Sequence, residues 1–253
     1  MLFKSFDLDL SVREKLQNYF TFPNEPEMTI NESGFLVGAL KIAAPKKILE
    51  IGVAGGGTTV ITMEAMKSIN QNYEMFSVDI SEKFYIDNNL ETGFIAKKYI
   101  LENSISNHRF ILGKNIAETI ESIGNDIDLL ILDTAHVLPG ELLDFLIVFP
   151  YLSENAMVIL HDTHMNLNVP NRQDSFATKL LFDLVAGKKY ALNDDSKRII
   201  PNISAFDTSS LSMNNVVNIF SALSITWQYK LSNEIIKDYF KIIKKNYDIS
   251  YYN

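Results

Sequence analysis

Three of the four histidines fall at the ends of two short apolar segments, each beside an aspartate. One segment closes as Leu132-Asp133-Thr134-Ala135-His136, the other as Leu160-His161-Asp162-Thr163-His164. Two carboxylates held together away from bulk water repel unless a cation or a proton lies between them. A hard divalent ion such as Mg²⁺, taking carboxylate, water and hydroxyl oxygens, meets that need, so Asp133 and Asp162 are candidate metal ligands. A 2-His-1-carboxylate set drawn from His136, His161, His164 and Asp162 would instead suit zinc or iron. The plain alternative is a helix-capping aspartate with polar histidines at the sheet edge.

A second cluster lies upstream. Four of the eleven glycines sit within Glu50-Ile51-Gly52-Val53-Ala54-Gly55-Gly56-Gly57. Glycines at this density permit a tight turn and let backbone N–H groups approach a ligand. Gly52, Ala54 and Gly57 match the G-x-G-x-x-G dinucleotide pattern at two of three glycines, and the Ala54 methyl stands where pyrophosphate must come closest. Read as E-x-G-x-x-x-G over Glu50, Gly52 and Gly56, the loop suits a ligand bearing a cationic amino-acid group, which a carboxylate attracts. Asp79, 27 residues after Gly52, is placed to accept both hydroxyls of a ribose. A ribose does not separate nicotinamide dinucleotides from S-adenosylmethionine. Asn115 either faces an adenine edge or caps the helix that follows.

These residues need strand ends to hold them. Strand-like runs lie at Lys46–Gly52, Tyr73–Asp79, Asn107–Gly113, Ile127–Asp133 and Ala156–His161. Helix-like segments follow each of them, at Gly56–Ile69, Asn89–Ser104, Ile116–Ile123, Leu138–Leu152 and Asp174–Ala186. Several of the strands are nearly continuous apolar runs, as in strands buried on both faces of a parallel sheet. Five such units predict an α/β protein with a doubly wound, mostly parallel sheet, whose ligands sit beyond the carboxyl ends of the strands. Helices are expected ahead of the sheet at Val12–Phe20 and Gly34–Ala44, parted by Pro23 and Pro26. After Lys188 a turn at Asn193-Asp194-Asp195-Ser196, a strand over Arg198–Phe206 and helices over Asn214–Leu223 and Glu234–Lys244 form a C-terminal extension. Residues 1–45 thus read as a helical lead-in and residues 46–253 as the main domain, together one compact unit.

Composition narrows the partners. Lys plus Arg number 23 against 31 for Asp plus Glu, a net charge of -8, which argues against a nucleic-acid backbone or an anionic membrane. The absence of cysteine excludes disulfides, thiolate metal sites and cysteine nucleophiles. No apolar run has the roughly 18 residues of a membrane helix, and the acidic N-terminal stretch does not read as a signal peptide. A soluble, cytoplasmic protein is expected.

Taken together, the motifs resemble class I S-adenosylmethionine-dependent O-methyltransferases of the metal-dependent catechol and caffeoyl-CoA type, above all the bacterial relatives that methylate sugar hydroxyls on macrolides and glycans. The resemblance rests on Asn31-Glu32-Ser33-Gly34-Phe35-Leu36, on Lys47 to Gly52, on Asp133-Thr134-Ala135-His136 and on His161-Asp162-Thr163, covering roughly residues 30–165. It implies a Rossmann-like methyltransferase domain in which Glu50, Gly52, Gly55 and Gly56 line the methionine and ribose part of S-adenosyl-L-methionine. Asp79 would bind the ribose, and Asn115 would lie near the adenine. Asp133 and Asp162 would hold Mg²⁺. Thr163 replaces a frequent Asn ligand, leaving His161 or water as the third. His136 takes the place of the general base, with Asp133 beside it at the reacting centre. The acceptor implied is a small hydroxylated molecule, such as a sugar. Two other functions stand beside this one, a nicotinamide-dependent oxidoreductase and a non-catalytic cofactor-binding protein. The Asn-rich loop from His164 to Phe176 either closes over the site or lies on the surface. The lead-in and the tail around Trp227 either cover the acceptor pocket or form an interface of a homo-oligomer.

Overall fold

Apolar runs with few charges have no stable exposed conformation, and here they pair into the middle of a sheet. The computed structural model describes residues 4–22, 27–70, 72–192, 202–212 and 216–248. Strands β1 (Lys47–Ile51), β2 (Glu74–Asp79), β3 (His108–Leu112), β4 (Ile127–Leu132) and β5 (Leu152–His161) run parallel in the order β3-β2-β1-β4-β5. Two more strands, β6 (Lys189–Ala191) and β7 (Ile203–Asp207), complete seven. Strand β7 lies antiparallel to both β5 and β6, giving the order β3-β2-β1-β4-β5-β7-β6. The all-parallel order usual for dinucleotide-binding sheets is therefore not followed at this edge.

Alternation along the strands builds two cores. Ile48, Met75, Leu129, Ile131 and Ile159 face helices α1 (Ser11–Lys15), α2 (Ile30–Ala43), α3 (Gly57–Ile69) and α4 (Phe94–Asn103). Leu49, Val78, Leu130, Leu132 and Leu160 face α5 (Ile116–Ile123), α6 (Gly140–Val148), α8 (Ala177–Leu184), α9 (Val217–Ala222) and α10 (Asn233–Asn246). A short helix, α7 (Met165–Asn168), follows β5. Lead-in residues Phe6, Val12, Leu16 and Phe35 share one buried cluster with Ile48 and Met75 of the sheet. Among the described residues no helix is long and apolar enough to cross a membrane.

Several boundaries move for local reasons. The helix expected from Asn89 starts at Phe94, because Asp87 accepts the backbone and side-chain N–H groups of Asn89 in a turn. Helix α6 starts after Pro139 rather than at Leu138. The expected Val12–Phe20 helix shrinks to the five residues of α1, whose N-cap makes no side-chain bond. The expected turn at 193–196, the start of the strand expected from Arg198 and the residues 23–26 lie outside the described residues.

Candidate active site

The carboxyl ends of β1, β2, β4 and β5 meet at one rim, and a glycine lets them meet. Gly52 has φ +90°, and a Cβ there would stand 1.8 Å from the Asp133 carbonyl oxygen. Any other residue would push the β1 end away from the β4 end. Beyond it the chain bends through Ala54, also at positive φ (49°), and Asp79 of β2 holds the bend. Asp79 Oδ2 accepts from the Val53 and Ala54 N–H groups at 2.9 and 3.3 Å, and Oδ1 accepts from the Ser81 N–H at 2.8 Å. Above the rim opens a cavity of about 890 Å³, within the size range of small-molecule sites. Gly52, Val53, Ala54 and Asp79 line it from the ends of β1 and β2, Asn115 from the start of α5, and Asp133, His136 and Asp162 from beyond the ends of β4 and β5.

The second side is a charged cluster. One potential ligand atom from each of Asp133, His136 and Asp162 lies within 4.8 Å of the other two. His136 Nε2 is 3.2 Å from Asp162 Oδ2 and 3.8 Å from Asp133 Oδ1, while Nδ1 is 3.3 Å from Glu141 Oε1. His161 lies beneath, with Nδ1 3.3 Å from Asp133 and 3.6 Å from Asp162, and Nε2 3.8 Å from Glu32. Burial disfavours a cation on either ring, yet the surrounding carboxylates prevail. They raise the His136 pKa to about 9, and Asp133 first among them lifts His161 well above its ordinary value. Burial pushes Asp162 upward, but His161 and His136 leave it below the usual carboxylate range. Its Oδ1 also accepts from the Asn202 side-chain amide. His136 and Asp162 both adopt positive φ, 61° and 58°, a sparsely populated conformation found preferentially at functional positions.

The expected site residues divide. Asp133, His136 and Asp162 come together, Gly52 and Asp79 line the same cavity, and His161 lies behind the carboxylates. Glu50, Gly55 and Gly56 are not among the residues that line the cavity. Alternation along β1 puts Glu50 on the α3 face, where it is wholly buried and accepts from the Thr59 and Ser77 hydroxyls at 2.7 and 2.5 Å. Gly56 (φ +90°) instead lets the bend pack on Ala96 and Gly93 at the start of α4, and the Gly55 carbonyl accepts the Ile95 N–H. Asn115 meets one of its two expectations in full. It caps α5 in a reciprocal pair with Glu118 while its amide, at the cavity wall, reaches Asp238 at 3.4 Å. Thr163 turns toward Ser204 and His164 rather than into the cluster.

Sequence reasoning passed over Glu141, Asp144 and Tyr239. Asp144 is buried, accepts from Tyr239 Oη at 2.5 Å and Thr134 Oγ1 at 3.0 Å, and has its pKa pushed up by burial to about 7. The available signal was two acids three residues apart in Gly-Glu-Leu-Leu-Asp-Phe-Leu-Ile-Val, an otherwise apolar helix. Nothing local announced that α10 brings Ile235 and Tyr239 to the cavity wall.

Comparison with known proteins agrees with this fold. Residues 49–163 match a family model described as a methyltransferase domain. No curated protein sequence matches the chain. Among solved structures, a candidate caffeoyl-CoA O-methyltransferase from Staphylococcus aureus superposes with TM-score 0.56 at 18% identity, over 78% of this chain and 91% of that one. An O-methyltransferase from Bacillus cereus, solved with S-adenosylhomocysteine, gives 0.53 at 16% identity over 79% and 91%. TomG from Streptomyces achromogenes, an O-methyltransferase of tomaymycin synthesis solved with S-adenosylmethionine, gives 0.53 at 13% over 80% and 92%. The fold is that of these O-methyltransferases.

Proposed function

We propose that this chain, which carries a methyltransferase domain on an O-methyltransferase fold, moves a methyl group from S-adenosyl-L-methionine to a hydroxyl of a small polar acceptor, a sugar or glycan-linked metabolite. The observation that carries the reading is the meeting of Asp133, His136 and Asp162 in the same cavity that the glycine bend and Asp79 line. The donor supplies a methyl group on a sulfonium, and its in-line displacement makes the placing of the acceptor oxygen a large part of the rate. Gly52, Val53 and Ala54 present backbone to the amino-acid end of the donor. Asp79, whose oxygens already tie down the bend, accepts the ribose hydroxyls with its remaining lone pairs. Asn115 borders the adenine. Glu50 acts from behind, holding β1, β2 and α3 in register through Ser77 and Thr59.

The donor set of two carboxylates and an imidazole fits a divalent cation such as Mg²⁺, held by Asp133 and Asp162 with a histidine as third ligand. The imidazole within that set is His136; His161, with Nδ1 3.3 Å from Asp133 and 3.6 Å from Asp162, is the alternative third ligand, and taking it leaves His136 for proton transfer. Bound there, the ion would supply the charge that favours an acceptor oxyanion and offsets the carboxylates that keep His136 protonated. His136 Nε2 then receives the acceptor proton. Glu27, Asn168, Arg172 and Asn202 along the same wall give a hydroxyl-rich acceptor both donors and acceptors of hydrogen bonds. The shared core of lead-in and sheet supports a single unit of residues 1–45 with 46–253.

The test is transfer of labelled methyl to a panel of sugars and catechols, with Mg²⁺ or after chelation. Label on a sugar hydroxyl that disappears on chelation and returns with Mg²⁺ is expected. Saturable binding of NAD without binding of S-adenosylmethionine would overturn the reading.

A further inference from the structure

Asn202 stands one residue ahead of β7, and the direction of that strand brings it to the rim. A parallel neighbour would set its carboxyl end beside the end of β5, whereas antiparallel β7 sets its beginning there. The register pairs His161 with Ile203, so the next step along both chains puts Asp162 beside Asn202. The backbone follows, with the Asn202 carbonyl accepting the Thr163 N–H at 3.1 Å. The side chain reaches the same turn twice more. Its Oδ1 accepts the His164 N–H at 2.7 Å, and its amide nitrogen donates to Asp162 Oδ1.

The backbone donor decides which way the amide points. A backbone N–H can only donate, so the amide oxygen must face His164 and the NH₂ group must face Asp162. Asp162 Oδ1 is thereby held, and Oδ2 is left toward the cluster, 3.2 Å from His136 Nε2 and 3.6 Å from His161 Nδ1. Asp162 has φ +58°, a conformation that persists only where the surroundings hold it. Three bonds to Asn202, made by residues 162, 163 and 164, do so. The neighbouring Thr163 hydroxyl gives the carboxylate nothing, since it turns to Ser204 and His164.

The geometry points to Asn202 as the positioning residue of Asp162, fixing the carboxylate from the neighbouring strand with one oxygen held and the other turned to the cluster. The consequence for cation binding rests on the reading of Asp162 as a metal ligand, whereas the orientation itself does not. Partners that orient ligating carboxylates commonly matter about 10- to 100-fold for metal affinity or activity. Among the described residues the Asn202 side chain bonds neither the glycine bend nor Asp79, so the donor should bind without regard to it.

Asn202→Ala removes both side-chain bonds and leaves the backbone bond to Thr163. The probe is Mn²⁺ alone, titrated by electron paramagnetic resonance without donor or acceptor. In the folded variant Mn²⁺ should bind about 10-fold or more weakly and kcat should fall by about 10-fold or more, while S-adenosylmethionine affinity stays within about threefold. A side chain that only braces the fold would lower the melting temperature and leave Mn²⁺ affinity and kcat of the folded variant alone, and that result overturns the inference. Nitrogen-15 NMR of the side-chain NH₂ groups reads the contact with no metal present. The Asn202 signal, assigned through bonds, should move in Asp162→Ala. A signal that stays where it is in the natural protein overturns the inference, and it does so even if Asn202→Ala does not fold. Mn²⁺ affinity unchanged in Asp162→Ala would instead remove the metal reading, and the amide signal with the kcat of Asn202→Ala would then decide the orientation.

Discussion

Glu50 and Glu141 are the same residue type, both wholly buried, at the two halves of one rim, and their surroundings shift their carboxyls in opposite directions. Around Glu50 stand only neutral partners. Burial raises its pKa to about 8 against the donated bonds of Ser77 and Thr59. Behind Ser77, His108 Nε2 lies 2.9 Å from the same hydroxyl, and burial lowers that histidine to about 4. Burial pushes Glu141 upward as well, but His136 beside it prevails and holds the carboxyl below its ordinary range. The partner, rather than burial itself, decides the charge. On the bend side the buried network fixes backbone, so neutrality serves it. On the cluster side charge is kept at the Asp133–His136–Asp162 group, where the proposed reaction would move a proton.

Mutations sharpen the contrast. Glu141→Ala removes the carboxylate beside Nδ1 of His136 and leaves the ring only Asp133 and Asp162, and the loss of one member of a buried ion pair should lower unfolding free energy by about 3–5 kcal/mol. Chemical denaturation measures it, and a loss under about 1 kcal/mol would make the two glutamates alike. Glu50→Gln should do the reverse, in a pH-dependent way. A carboxyl whose folded-state pKa is raised contributes its stability fully below the ordinary value of 4.5, and that stability is lost as pH rises toward about 8. Between pH 4.5 and 8 the natural protein should therefore lose stability relative to Glu50→Gln, by on the order of 1–3 kcal/mol, and the gap should level off above that range. Melting curves across this interval check the sign. A gap that does not grow with pH contradicts a neutral Glu50. Smallest is Tyr239→Phe, which removes the hydroxyl bonded to buried Asp144 and should destabilise by about 1–2 kcal/mol.

How much of this could be read from the chain depends on how local each cause is. The continuous apolar runs gave away the parallel core, and the pairing of Asp with His at two strand ends gave away the cluster. Gly52 was legible because only glycine tolerates its turn against Asp133. The burial of Glu50 against α3 was not legible, because period-two alternation tells which residues share a face but not what that face packs against. Asn115 carried two readings because a capping side chain can stand at a cavity wall as well. The antiparallel β7 and the arrival of Tyr239 from α10 are contacts between distant segments, fixed by packing and not by any local pattern.

The central claim is that the Asp133–His136–Asp162 group handles the acceptor while the glycine bend and Asp79 hold the donor. Measuring donor affinity and turnover together in His136→Ala and Asp133→Ala tests it most directly. The account predicts donor affinity within about threefold of the natural protein and turnover lower by about 100-fold or more in both. Turnover that survives either change, or donor binding that vanishes with it in a folded variant, would contradict the division.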